Sequence, residues 1–420
     1  MTERLLQYIW QFQYFNNSEL STPEEETLQV IFPGNYNTNQ GPDFLDAKIR
    51  VNDTLWAGSV ELHIRSSDWK SHGHGTDPNY HNTILHVVWQ HDEDLQLPFP
   101  TLVLADRVPK FLLKKYDELM NSGSFIPCDK SVHLVNDITW SAWKTGLLVE
   151  RLKEKTKLVS EYLESGKGHW EETFWWLIAK NFGAKVNTEA FEQVARSIPI
   201  NILARHKNQI HHTEALLFGQ AGLLDKKFTD DYPNMLRKEY LFYKNKYKLS
   251  RNMRPLFFLR MRPANFPSVR LAQLAMLIHN SLHMFSQVRE TTSLKDIRKL
   301  LNVTANDYWH YHYVFDELTT YKEKNLGSQM IDNILINTIV PALFAYGHYH
   351  GEASYKDRAM LWLEEIAAEK NVITNGFVAL DIKNQTAFDS QALIQLKNEY
   401  CNHKRCLDCS VGNKLLRLQR

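Results

Sequence analysis

The sequence predicts an α+β protein: a β-rich N-terminal module over residues 1–130, built on a mixed β-sheet, then a mostly α-helical region over 131–420. Three observations predict it. Short apolar runs with alternating polarity recur between Leu28 and Ala105. From about Asp137 onward the apolar spacing changes to the 3.6-residue helical period. The chain has 420 residues, 43% of them apolar and 23% charged, which fits a globular protein too long for a single core.

Taken in order, residues 3–15 read as an amphipathic helix, with Leu5, Leu6, Ile9 and Trp10 at helical spacing. Leu28–Gly34 is an apolar run ended by Pro-Gly and reads as a strand. Phe44–Val51 alternates, Asn52-Asp53 offers a hairpin turn, and Leu55–Ile64 alternates again. In that last strand Val60, Leu62 and Ile64 face one side while Glu61 and His63 face the other. A polar loop covers 65–82, and Thr83–Trp89 and Thr101–Ala105 complete the sheet. Helical periodicity then marks 138–164, 169–183, 187–197, 211–224, 233–249, 268–283, 293–302, 328–346, 353–369 and 387–400.

Composition narrows the function. A net charge of +1 excludes a whole-chain polycation, so nucleic acid would have to meet a local basic face. The opening residues lack a basic segment followed by an unbroken apolar one, so they do not read as a secretory signal. The apolar stretch Ile331–Tyr346 is interrupted by Asp332, Asn333, Asn337 and Pro341 and reads as too short for a membrane span. A soluble, cytoplasmic protein without a membrane partner is expected. In that compartment the four Cys are thiols or metal ligands rather than disulfides.

The chemistry concentrates in the sheet. Asp43 stands at the mouth of one strand and Glu61 lies within its hairpin neighbour. Neighbouring strands run about 4.8 Å apart, so two such carboxylates can converge on one divalent ion. His63 shares the Glu61 face, and His72 and His74 follow in the loop, where they can orient or deprotonate a water. The plainer reading also stands: Asp after Gly-Pro suits a turn, and a strand Glu is often solvated. A second chemistry fits the same residues, because Glu61, His63, His72 and His74 form a nitrogen-rich donor set for zinc. His86, inside an apolar strand, reads as a hydrogen-bonded core residue.

Two further groups stand out. Cys401-x4-Cys406-x2-Cys409 with the remote Cys128 matches a four-thiolate iron–sulfur or Zn²⁺ site, His403 being a possible substitute ligand for zinc; four unrelated thiols is the alternative. Arg237–Arg262 carries nine basic residues against one acid, interleaved with Tyr240, Phe242, Tyr243 and Tyr247. Arg251, Arg254, Arg260, Arg262 and Arg270 are the candidate phosphate contacts, and a solvated helix face is the bland account.

Pro42-Asp43 followed by Glu61-Leu62-His63 resembles the PD-(D/E)xK phosphodiesterase superfamily of restriction, repair and recombination nucleases. The resemblance implies a restriction-endonuclease-like module, with Asp43 and Glu61 ligating Mg²⁺ or Mn²⁺ and a nucleic-acid substrate, DNA or RNA. His63 stands where that superfamily has its catalytic Lys. Trp69 with His72-x-His74 bears a weaker likeness to very-short-patch repair endonucleases. The Cys set is similar to that of superfamily members that pin a C-terminal triplet to an earlier Cys. The motifs GPDF, GSVELH, SSDW-x2-H-x-H, LHVVW and RMRPANFP together resemble one uncharacterised bacterial domain family over nearly the full length.

The function expected is therefore a divalent-metal-dependent nuclease. The alternatives are a non-catalytic nucleic-acid-binding or scaffold protein with a degenerate nuclease-like core, and a zinc-dependent hydrolase of a small substrate.

Overall fold

In the computed structural model of the chain, residues 1–250, 254–259, 261–281 and 283–418 are described. The protein is α+β, 54% helical and 11% strand, with the sheet confined to the N-terminal part. It forms two compact units: Met1–Trp143 together with Leu396–Arg420, and Lys144–Gln395. The C-terminal segment thus belongs to the first unit, a long-range return that local periodicity does not encode.

The first unit opens with helix α1 (Glu3–Gln11), whose Leu5, Leu6, Ile9 and Trp10 are buried and whose N-terminus is capped by the Thr2 hydroxyl. The strands are β1 (Leu20–Ser21), β2 (Thr27–Phe32), β3 (Asn35–Tyr36), β4 (Phe44–Val51), β5 (Thr54–Arg65), β6 (Thr83–Gln90) and β7 (Thr101–Val103). Their order is β1-β2-β4-β5-β6-β7, with β3 on the end of β4. Pairing is antiparallel from β1 through β5, then parallel for β5–β6 and β6–β7, which makes the sheet mixed. Asn52, at φ 50°, turns the β4–β5 hairpin where the sequence places it.

Strand β4 buries Phe44, Ala47, Ile49 and Val51 and exposes the residues between, as a half-covered strand should. Strand β5 is buried continuously from Gly58 to His63, because both of its faces are covered. Two irregularities flank the carboxylates: the β4–β5 register shifts between Phe44 and Ala47, and the β5–β6 register shifts between Ser59 and Val60. Such bulges re-aim the side chains next to them. Gly58 permits the close approach of β6, since a Cβ there would lie 2.4 Å from the Asn82 carbonyl oxygen and 2.5 Å from Ile84 Cγ2. The β5–β6 crossover, called a loop from sequence, carries the one-turn helix α2 (Asp68–Ser71) and two 3₁₀ turns. Helix α3 (Lys110–Asn121) follows the sheet.

The second unit is helical. Trp170–Phe182 and Ile210–Gln220 are buried almost all round, as their lack of a polar face requires. The Ser328–Tyr349 stretch is one continuous helix whose middle, Leu335–Ile339, widens to a π turn just before Pro341. It is the one described helix long and apolar enough to cross a membrane, and 72% of its apolar window is buried within the fold.

Candidate metal centre

Asp43 enters β4 from a loop pinned on both sides. The Asn37 N–H donates to the Asp43 carbonyl at 2.7 Å, and the Asn37 side-chain amide donates to the Pro42 carbonyl at 2.9 Å. Across the β4–β5 pair the two acids interlock. Glu61 Oε2 accepts the Asp43 N–H at 3.0 Å, and Asp43 Oδ2 accepts the Leu62 N–H at 3.1 Å. The carboxylates therefore share one place, on the same side of the hairpin. Gln7 of α1 donates its amide to Asp43 Oδ1 at 2.7 Å.

The histidines gather on the free side of Glu61. His63 is 1% exposed; its Nδ1 lies 2.9 Å from His86 Nε2 and its Nε2 3.1 Å from His72 Nδ1. Glu61 Oε1 is 3.6 Å from His63 Nε2 and 3.3 Å from His74 Nε2. Trp69, delivered by α2, packs edge-on against His63 and His74 and tilts over His86. Tyr80 stacks on His74 with ring centres 3.9 Å apart. The Glu61↔His86 parallel register sets His86 behind His63, which explains why a histidine occupies an apolar strand.

Electrostatics make the arrangement costly as it stands. Burial, with the Asp43 charge adding to it, pushes the Glu61 carboxyl well above the usual range. Asp43 is raised by burial, and the Leu62 N–H and Gln7 oppose the shift. Burial drives His63, His86 and His74 the other way, toward the neutral imidazole. His74 Nε2 is buried with no hydrogen-bond partner. A divalent cation would answer all of these at once, because such an ion binds carboxylate and neutral imidazole and offsets acid–acid repulsion.

Spacing agrees. Among the described residues, His63, His72 and His74 are the group whose possible ligand atoms lie within 4.8 Å of one another. Donors on a four-coordinate ion with bonds of about 2.0–2.1 Å stand roughly 3.3 Å apart, close to the 3.1 Å and 3.3 Å separations here. Sequence reading singled out all five of these residues. It missed Gln7 and the role of Glu3, whose charge adds to that of the pair. Glu3 and Gln7 stand one turn apart on a helix that also carries Arg4 and Gln11, so nothing local marks the pair.

The model of a family described as "Protein of unknown function (DUF2851)" matches residues 3–372. The chain belongs to that family. No curated protein and no solved structure matches the chain. The family region contains the whole carboxylate–histidine centre and the basic segment, and it stops short of Cys401, Cys406 and Cys409.

The candidate phosphate contacts all fall in the second unit. Arg251 and Arg260 lie outside the described residues. Arg254 is exposed and pairs with Glu189. Arg262 is exposed on the turn before Pro263. Arg270 is half-buried and holds that turn, donating to Asn265 Oδ1 at 2.6 Å and Gln273 Oε1 at 2.9 Å, which gives it a structural task. Cys128, Cys401, Cys406 and Cys409 all lie in the first unit, each as a free thiol.

Proposed function

We propose that this chain is a divalent-metal-dependent phosphodiesterase acting on nucleic acid, with His63, His72 and His74 holding the ion beside the Asp43–Glu61 pair. The reading rests on the convergence of three imidazole nitrogens with Glu61 Oε1, which lies 3.3 Å from His74 Nε2. Nitrogen donors favour Zn²⁺ over Mg²⁺, and Mn²⁺ accepts the mixed set. A bound ion there supplies positive charge for phosphoryl oxygens and acidifies a water.

The remaining roles belong to the chain. His86 fixes the ring of His63 through its Nδ1, as a ligand's outer nitrogen is usually fixed. Glu61 keeps one oxygen anchored by the Asp43 N–H, which leaves the other to take a proton from incoming water. Asp43, held by Gln7 and the Leu62 N–H, adds the second negative charge that draws a cation in. His72 is exposed, so the centre opens at the surface, where a polymer strand can reach it. In the second unit, taken by itself, Lys238, Lys246, Lys248 and Arg262 are exposed cations of the kind that meet a phosphate backbone.

The test is cleavage of single- and double-stranded DNA and RNA by the purified chain with Mn²⁺ or Zn²⁺. Cleavage that Glu61→Gln abolishes supports the proposal; cleavage that survives the substitution refutes it. The all-nitrogen trio also favours a second reading, a zinc-dependent hydrolase of a small substrate. Zinc-dependent turnover of a small ester without attack on any nucleic acid would select that reading. Absence of metal binding would leave a scaffold with a degenerate core.

A further inference from the structure

The chain has four cysteines, and the fold collects all of them in one unit although Cys128 and the C-terminal triplet are far apart in sequence. Cys128, Cys406 and Cys409 are buried and Cys401 is half-buried. The segment around Cys128 meets the C-terminal one: Pro127, Cys128 and Ser131 line one cavity with Leu415 and Leu416, and the Lys397 ammonium lies 4.8 Å from the centre of the Phe125 ring. Four neutral thiols gain nothing from one another's company, whereas four thiolates around a cationic centre would.

The local backbone is shaped for sulfur. Cys409 stands at the N-cap of the C-terminal helix Ser410–Arg417, and the Asn413 N–H donates to its carbonyl at 2.8 Å. A Cβ on Gly412 would lie 2.3 Å from the Cys406 carbonyl oxygen, so only glycine lets the chain fold this tightly between the two cysteines and the helix.

Spacing separates two kinds of four-thiolate centre. Around one zinc, with Zn–S bonds of about 2.3 Å, sulfurs stand roughly 3.8 Å apart. Among the described residues the three histidines alone bring their ligand atoms within 4.8 Å, so no three of these sulfurs approach that closely. The corners of a four-iron cluster hold their cysteine sulfurs wider, on the order of 6 Å apart.

We propose that Cys128, Cys401, Cys406 and Cys409 ligate a four-iron iron–sulfur cluster that fastens the C-terminal segment to the segment around Cys128 within the same unit. The proposal is independent of the histidine centre. It is tested on the full chain, purified without air and reconstituted with equal ferric and ferrous iron and with sulfide. The expected result is about four iron and four acid-labile sulfide per chain, with broad visible absorption. Cys406→Ala and Cys409→Ala should each lose both, and His72→Ala should retain them. Zinc bound by the quartet in place of iron would overturn the proposal. So would no iron after reconstitution, or full iron and sulfide in Cys409→Ala. Should the cysteine variants fail to fold, the iron and sulfide content of the unaltered chain still decides.

Discussion

Glu214→Gln should raise the stability of the Lys144–Gln395 unit by about 3 kcal/mol near pH 8 and change it little near pH 4. Glu214 is 0% exposed, and it accepts hydrogen bonds from Tyr232 Oη and, at 3.1 Å, from Trp309 Nε1. Burial pushes its carboxyl from 4.5 up to about 7, against the opposing pull of those donors. Because the folded value lies above the unfolded one, the native state holds the proton more tightly. The stability this provides is fully present below about 4.5 and is lost as pH rises through about 7. At 1.36 kcal/mol for each unit, the loss comes to about 3 kcal/mol. Gln keeps the shape and the acceptor for Trp309 and has no charge to bury. The assay is urea unfolding followed by tryptophan fluorescence across that pH range, with m-values compared to confirm that the same surface is exposed. Parallel pH profiles for the two proteins would refute the burial argument.

Three other perturbations probe the first unit and the helical one. His86→Leu leaves His63 Nδ1 buried without its 2.9 Å partner, and the metal affinity should fall about 10–100-fold by calorimetry; unchanged affinity would remove His86 from the centre. Gly58→Ala places a methyl against the Asn82 carbonyl and Ile84, and should destabilise the sheet by about 1–3 kcal/mol in urea unfolding while weakening metal binding with it. Asn371→Ala removes the side chain that accepts the Thr374 N–H at 3.0 Å in a two-way cap, and should cost about 1 kcal/mol in thermal unfolding with no effect on the metal centre.

The sequence carried a good part of this. Strand β4 has the boundaries its alternation predicts, because one covered face imposes a period of two. Asn52 announced the hairpin that brings Asp43 beside Glu61. What stayed hidden depends on partners distant along the chain. Alternation in β5 and β6 says nothing about parallel pairing, so the His86 position behind His63 was not readable. Gln7 reaches Asp43 only through the docking of α1, and one polar residue on a helix carries no address. The crossover histidines were legible as a cluster, but the packing of Trp69 against the His63 and His74 rings is a tertiary contact that local sequence does not announce. Helix Ile200–His206 and helix Val372–Val378 were missed because seven residues are too few to show a period.

The proposed function turns on a cation held by imidazoles beside paired acids. Titrating the metal-stripped chain with Mn²⁺ by calorimetry, alongside the double variant His72→Ala/His74→Ala, measures that directly. We predict about one ion per chain, bound tightly by the natural sequence and lost in the variant, whose altered residues sit in the crossover rather than the core. Equal binding by both proteins, or none by either, would contradict it.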